Sequence, residues 1–253
     1  MSALGICTIV VACVFGSALL GMFLAKVLPK EHLSPEAKDA IKVAMAMIAT
    51  LSALVLGLLT ASAKASLDQK ENELRDWAAK VVLLDRTLAA YGPEADAARQ
   101  SLKQNLATRI DQLWPGRGTG TTPTALGSGI GIEGIQNQLL ALSPQTDAQR
   151  WLQSRALDIS GSMAAERWSA LQQVGSSVRW PFLAILVFWL AVIFASFGLF
   201  APRNPLVTGA LFVAALSVAG SIYIILEMDQ PYGGLIKITS APVRTALEQL
   251  GRP

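Results

Sequence analysis

Side chains that could do catalytic chemistry are sparse in this sequence and do not occur at catalytic spacings. The only histidine is His32, and its neighbour Ser34 fits a helix N-cap better than a nucleophile. Cys7 and Cys13 are six residues apart, or about 240° on a helix, so they cannot form a disulfide with each other. No Cys/His set has the spacing of a zinc site. The sequence therefore predicts no catalytic residue, no cofactor and no confident metal site, and the protein is not expected to be an enzyme.

Two carboxylates near the C-terminus are a candidate cation or gate site. Glu227 and Asp229 follow the last apolar run and precede Pro231 and a pair of glycines. One interpretation is a helix stop and a turn, in which Asp229 accepts backbone N–H bonds. The other is a cation site, because hard cations prefer carboxylate and carbonyl oxygens. Both interpretations stay open, since two carboxylates are too few for a firm calcium prediction.

A stripe of small and hydroxyl side chains follows one face of the second apolar run, with a lysine at either end. Small residues let helices approach closely in lipid, so the stripe could be a packing face. It could also line a pore. The lysines at the two ends of the pore would then attract inorganic anions such as chloride. The candidate pore-lining residues are Lys42, Ala46, Ala49, Thr50, Ala53, Gly57, Thr60 and Lys64.

The composition indicates that lipid surrounds most of these residues. The 253 residues are 52% hydrophobic and 15% charged, with a mean hydropathy of +0.44, whereas soluble domains carry about 25% charged residues. Of the 21 basic residues 13 lie in Lys64–Arg179, as do 12 of the 18 acidic residues. The net charge of +3 is too small for a phosphate-binding surface. These values exclude a plain soluble globule, a disordered chain and a nucleic-acid binder, and predict a membrane protein with one water-facing segment.

Four uncharged runs are long enough to cross a bilayer, which takes about 20 helical residues. Charges stand at the edges of the runs and are absent inside, as the cost of burying them requires. The first run lacks a basic region before it, so it is expected to stay as a helix and not to be a signal peptide. The predicted spans are Ser2–Ala25, Val43–Ala63, Trp180–Pro202 and Asn204–Leu226.

The four spans divide the chain into membrane and cytoplasmic parts. Residues 1–63 hold spans one and two, residues 64–179 form a helical domain, residues 180–227 form a transmembrane hairpin, and residues 228–253 form a tail. Basic residues near the spans favour the helical domain and both termini in the cytoplasm. Within this domain Arg75, Lys80 and Arg86 are candidate anion-attracting groups of a vestibule.

The water-facing segment has helical periodicity, so the predicted fold class is all-α, with four transmembrane helices and this helical segment between spans two and three. A helix from Ser66 presents an apolar stripe, and Pro93 begins a second helix to Leu113 with Ala97 on its apolar face. Residues 114–131, rich in glycine and threonine, predict a linker. A short helix at Ile135–Leu142 comes next. Ser143 is then the predicted N-cap of a helix from Pro144 to about Val174, with Trp151 and Trp168 among its apolar members.

The layout resembles the bacterial bestrophin-like membrane proteins. The similar pieces are Leu84-Asp85-Arg86, then Tyr91-Gly92-Pro93 with Arg99 downstream, Arg167 before span three, and Asp229-x-Pro231-Tyr232-Gly233 after span four. The family is named for a distant likeness to bestrophins, which are oligomeric anion channels and pentamers in the known cases. The resemblance implies a multi-pass protein of the bacterial inner membrane that binds copies of itself. This sequence departs from bestrophins in having no phenylalanine in the second span and a much reduced acidic run.

Two functions from different classes follow from these observations. The first is a homo-oligomeric, anion-conducting channel whose pore is lined by the second span. The second is a membrane-anchored interaction protein whose cytoplasmic helices dock a partner through their leucine and tryptophan stripes. An intramembrane enzyme is disfavoured, because no acid–base pair lies within a span.

Overall fold

The computed structural model describes residues 3–27, 35–114, 132–172, 180–202, 204–229 and 236–251. Helices are the only regular secondary structure in these ranges, which confirms the all-α prediction. A 3-10 turn at Pro93–Ala95 precedes the third α-helix. The α-helices are α1 Ala3–Val27, α2 Pro35–Tyr91, α3 Asp96–Leu113, α4 Ile132–Leu140, α5 Asp147–Gln172, α6 Trp180–Phe200, α7 Pro205–Met228 and α8 Ala241–Gln249.

Four of these helices, α1, α2, α6 and α7, are long and apolar enough to cross a membrane. The chain divides into two compact units. The first, here called the membrane unit, is Met1–Ser66 with Ser176–Gln230, and the second, the charged unit, is Leu67–Gly175 with Pro231–Pro253. Helix α2 contributes residues to both units. The domain boundaries expected from the sequence stay a prediction.

Helix α1 is the centre of the described packing in the membrane unit, because both α6 and α7 lie against it. Its buried face includes Val10, Val14, Ala18 and Gly21. A Cβ at Gly21 would overlap the carbonyl oxygen of Ala195 on α6. Reciprocally, a Cβ at Gly198 would overlap the carbonyl oxygen of Ala18. Two glycines therefore let the backbones of α1 and α6 touch, as small residues do between helices in lipid.

Helices α1 and α7 run antiparallel. The Thr208 hydroxyl near the start of α7 lies 3.9 Å from the sulfur of Met22 near the end of α1. One turn further along α7 and two turns back along α1, the rings of Phe212 and Phe15 meet edge to face with their centroids 5.2 Å apart. The reversal between α6 and α7 occurs at Ala201–Asn204, where the Asn204 side chain accepts a hydrogen bond from the backbone N–H of Leu206. Asn204 is therefore the N-cap of α7, and Pro205 occupies the first turn of that helix, where a missing N–H costs nothing.

The charged unit has a hydrophobic core built from five helices. The stripe predicted on the second half of α2 is buried at Val81, Leu84, Leu88 and Tyr91. Facing residues come from α3, α4, α5 and α8, and the largest that are fully buried include Leu106, Ile135, Leu139, Met163 and Val243. The helical periodicity of this segment therefore identified a true core face.

Some details of the charged unit differ from the sequence prediction. Ala98 is buried in α3 and Ala97 is exposed, because a spacing of four from Leu102 keeps Ala98 on the buried face. Helix α4 spans Ile132–Leu140 and not Ile135–Leu142. In α5, Trp151 and Trp168 are exposed, so their assignment to the apolar face is wrong. The side chain of Leu171 and all of Val174 lie outside the described residues.

The predicted start of α5 at Ser143-Pro144 is also wrong, because the helix begins at Asp147. The Thr146 hydroxyl accepts a hydrogen bond from the Gln149 backbone N–H at 3.1 Å. The Gln149 side chain reaches back and accepts from the Gln145 backbone N–H at 2.8 Å. A threonine followed three residues later by glutamine is a capping-box pattern, and it outcompetes the earlier serine–proline pair.

Candidate functional site

The membrane half of α2 presents three faces with different side chains. With about 100° per residue and Lys42 taken as zero, the eight candidate pore residues fall between about −20° and +80°. All eight are exposed in the single chain. The buried residues Ser52, Leu59 and Ala63 lie between about −100° and −60°. The exposed bulky residues lie between about 100° and 180° and are Val43, Met47, Leu51, Leu54 and Leu58.

The small-residue face of α2 is therefore separate from both the packing face and the bulky face. Packing within this chain covers the sector of Ser52, Leu59 and Ala63 and leaves the candidate stripe exposed. A Cβ at Gly57 would meet nothing within 4 Å. Among the described residues of this chain, none covers the stripe.

The hydroxyl groups of the stripe donate their protons to their own helix. The Thr50 hydroxyl donates to the Ala46 carbonyl at 2.9 Å. The Thr60 hydroxyl donates to the Leu56 carbonyl at 2.8 Å. The other members between the two lysines are alanine and glycine, so this face offers no side-chain donor that could replace the water around an anion.

The two ends of the stripe carry the charges. At the first end the Lys42 ammonium lies 2.9 Å from a carboxylate oxygen of Asp39, and the two side chains are 65% and 74% exposed. At the other end Lys64 is exposed. The pairing of Lys42 with Asp39 was not foreseen from the sequence, although the i,i+3 spacing on a helix could have indicated it.

The three candidate vestibule residues lie in the charged unit and are not alike. Arg75 is paired with Glu71 one turn earlier, at 2.6 Å. Lys80 of α2 is ion-paired with Glu166 of α5. Arg86 is exposed. The charges of Arg75 and Lys80 are thus partly compensated within the chain.

The two C-terminal carboxylates have different environments. Glu227 is 7% exposed and lies inside α7, which extends to Met228 and so past the predicted end of the fourth span. The Tyr223 hydroxyl one turn earlier donates a hydrogen bond to the Glu227 carboxylate, which makes its burial tolerable. Asp229 is the C-cap, and its backbone N–H donates to the Ile225 carbonyl. Among the residues described here, no three His, Cys, Asp or Glu side chains are grouped as a metal site would need.

A buried ion pair stands at the centre of the charged unit. The guanidinium of Arg99 donates to both oxygens of the Asp85 carboxylate, at 2.9 Å and 3.2 Å. The Asp85 side chain is 2% exposed. The hydrogen bond to Asp85 raises the pKa of Arg99, burial lowers it in part, and the charges of Asp85 and Asp96 raise it further.

The segment after the fourth span is attached to the same region by three polar contacts. The Gly251 backbone N–H donates to Asp85 at 3.2 Å, and the Lys103 ammonium approaches the Leu250 carbonyl at 3.5 Å. The indole N–H of Trp114 donates to the Ile238 carbonyl at 2.9 Å. Sequence spacing could not have found these contacts, because their partners are more than 100 residues apart.

The residues that suggested a family thus have a structural reason to occur together. Leu84 and Tyr91 are core residues, and Asp85 pairs with Arg99. Gly92 has a φ of 122°, a conformation that favours glycine, and it allows the sharp turn between α2 and Pro93. The sequence pattern of the bestrophin-like domain matches residues 12–243. The chain belongs to the bestrophin-like family.

The match confirms the family that was predicted from the motifs. No curated protein and no solved structure matches it. The family and the four apolar helices together identify a membrane protein of a channel-type family. The side chain of Arg167 and residues 230–235, which include the Pro231-Tyr232-Gly233 piece, lie outside the described residues. So do His32 and residues 115–131 of the linker predicted at 114–131.

Proposed function

We propose that this protein is a homo-oligomeric ion channel of the bacterial inner membrane that conducts anions such as chloride. Several copies of the chain surround a common axis, and each contributes the small-residue face of α2 to the pore wall. By analogy with the bestrophins, we propose five copies in the oligomer. The charged unit and both termini face the cytoplasm, and the protein has no enzymatic activity and no cofactor.

The observation that carries this proposal is the division of α2 into three faces. In a single chain the face of small and hydroxyl residues is uncovered although a separate face is packed. Bulky apolar side chains occupy a third sector, where lipid is the natural neighbour. The small-residue face is not packed within the chain, and its side chains are smaller than those of the sector assigned to lipid. Such a face fits the wall of a narrow water-filled pathway.

The experiment is chloride flux through liposomes that contain the purified protein. We expect wild-type protein to pass chloride, and Lys64→Glu to reduce the preference for anions over cations. Ala53→Trp should reduce the flux strongly, because Ala53 is exposed on the candidate stripe. The matched control is Ala61→Trp, since Ala61 is also exposed on α2 but lies at about 100°, in the bulky sector. Sealed vesicles in which the protein is verifiably inserted would contradict the proposal.

A second candidate function is a membrane-anchored interaction protein. The observation that favours it is the exposure of large apolar side chains on the charged unit, where Trp151 is 67% and Leu140 is 66% exposed. Aromatic residues are more frequent in protein–protein interfaces than on the rest of the protein surface. Recovery of a stoichiometric partner by the full-length protein, lost in Trp151→Ala and retained in Ala53→Trp, would support this function over conduction.

A further inference from the structure

The charges at one end of the candidate stripe belong to a pair and not to a lysine alone. Asp39 lies one turn before Lys42 on α2, and the two side chains meet at 2.9 Å. On the helical wheel Asp39 falls at about +60°, which is within the sector of the stripe. Both side chains are mostly exposed in the single chain. Any pathway along this face therefore passes a carboxylate and then an ammonium.

The wall beyond this pair provides no charge until Lys64. Its hydroxyl protons are donated to backbone carbonyls of α2, and its remaining members are alanine and glycine. An ion on this face consequently keeps its water shell and is distinguished by the sign of its charge at the ends. Selection by charge then depends on the local field of the mouth residues, which acts over about one Debye length.

We infer that Asp39 is a selectivity-determining residue that opposes Lys42 at this mouth and limits the preference of the pore for anions. The inference rests on the proposed function, since it assigns a role at the mouth of the same pathway. Among the charged side chains described in this turn, Asp39 and Lys42 are exposed and Lys38 is half-buried. Removing the carboxylate takes away the described ion-pair partner of Lys42 and raises the positive potential at the mouth.

The test is the chloride-to-potassium permeability ratio, measured as a reversal potential across a KCl gradient in proteoliposomes. Asp39→Asn raises the ratio by about two-fold or more, the effect of removing a unit charge about 10 Å from an ion in water. Lys42→Gln lowers the ratio, and the double variant returns it towards the wild-type value. The gain in Asp39→Asn shrinks between about 0.1 M and 1 M salt, because the Debye length falls from about 10 Å to 3 Å.

The matched control removes the same charge from the same helix outside the membrane unit. Asp76 is exposed on α2 and belongs to the charged unit, so Asp76→Asn leaves the ratio unchanged. A second readout does not need a current. In a background without Cys7 and Cys13, a cysteine at Ala46 reacts with an anionic and a cationic thiol reagent, and Asp39→Asn speeds the anionic reaction relative to the cationic one.

The outcomes separate this inference from the channel itself. A wild-type protein that conducts, together with an Asp39→Asn variant whose permeability ratio and labelling rates are unchanged, overturns the role of Asp39 and leaves the channel standing. If Asp39→Asn and Asp76→Asn change the permeability ratio equally, the role of Asp39 is also overturned, because the change is then a general effect of the net charge. An inserted wild-type protein that passes no ion overturns the channel and this inference with it.

Discussion

Asp85 and Arg99 form the one buried ion pair in the described core of the charged unit, and each depends on the other. Removing water from a carboxylate costs several kcal/mol, which the bidentate contact with Arg99 and the Gly251 N–H offset. Such a pair contributes little net stability compared with an apolar replacement, yet losing one partner is expensive. The pair therefore fixes how α2, α3 and the C-terminal segment are joined.

Arg99→Ala is expected to lower the free energy of unfolding by about 3–5 kcal/mol, because it leaves the Asp85 carboxylate buried and unpaired. The measurement is denaturant unfolding of the full-length protein in detergent. The matched control is Arg75→Ala, whose exposed pair with Glu71 is worth about 1 kcal/mol or less. Equal losses in the two variants would contradict the role of the buried pair.

The pKa of Arg99 sets the pH range in which this stabilisation is present. Because that pKa is raised in the folded state, chiefly by the hydrogen bond to Asp85, the Arg99 contribution is complete below its ordinary value. It is lost only as the pH rises through the folded-state value, in strong alkali. Titration of Arg99 should thus leave the unfolding free energy of wild-type protein unchanged across the neutral range.

At the scale of the elements, the contact between α1 and α6 depends on two missing side chains. Lipid tails are as apolar as leucine, so helices in a bilayer gain by close packing and not by leaving water. Gly21 and Gly198 lie opposite carbonyl groups of the partner helix, where even a methyl group would overlap backbone atoms. Backbone atoms cannot rotate away as a flexible side chain can.

Gly21→Ala should therefore separate α1 from α6 and destabilise the membrane unit by about 1–3 kcal/mol or more. The readout is the temperature at which the detergent-solubilised protein loses its monodisperse elution peak. Gly16→Ala on the same helix is the control, because a Cβ there would meet nothing within 4 Å. A Gly21→Ala protein as stable as the Gly16→Ala protein would show that α1 and α6 do not pack in this way.

The start of α5 gives a second prediction at this scale. Thr146→Ala removes the acceptor for the Gln149 backbone N–H and should destabilise the first turn by about 1 kcal/mol. Ser143→Ala, at the position that the sequence suggested, should have little effect. Hydrogen exchange at the amides of residues 147–150 distinguishes the two, and faster exchange in Ser143→Ala instead would contradict the capping by Thr146.

The helices of this fold could be predicted from the sequence wherever apolar residues follow the helical repeat without a competing pattern. Leu84 and Leu88 mark a core face because nothing competes with the helical repeat there, and the edges of the spans are marked by charges. The repeat does not decide between Ala97 and Ala98, which are equally small and differ only in the angle of the face. Glu227 could not be placed, because its burial depends on the Tyr223 hydroxyl and its packing surroundings. The family motif contains both Asp85 and Arg99, but the sequence does not indicate that the two side chains pair.

At the scale of the whole molecule, the contacts of the membrane unit are consistent with four crossings. The last turn of α1 lies beside the first turn of α7, and the Cys7 end of α1 lies near Glu227 at the far end of α7. The turn at residues 201–204 connects α6 to α7, so α6 runs in the same direction as α1. This is the order of directions that spans one, three and four must have if the chain crosses four times.

Single cysteines should accordingly be labelled from opposite sides of the membrane. In a background without Cys7 and Cys13, Pro202→Cys is expected to react with a membrane-impermeant maleimide added outside spheroplasts, since residue 202 is exposed between α6 and α7. Lys237→Cys, also exposed, should react only after the membrane is opened. Reaction of both residues from the same side would contradict a four-span topology.

The central place of α1 also has a consequence for how the protein is made. Helix α1 has its partners in α6 and α7, which are synthesised only after α2, α3, α4 and α5. Its face of Val10, Val14, Ala18 and Gly21 must therefore wait in the bilayer, covered by lipid, until more than 170 further residues have been translated. Assembly of the membrane unit is then a late step that follows insertion, and nascent chains that end before Trp180 carry an anchored but unpaired first helix.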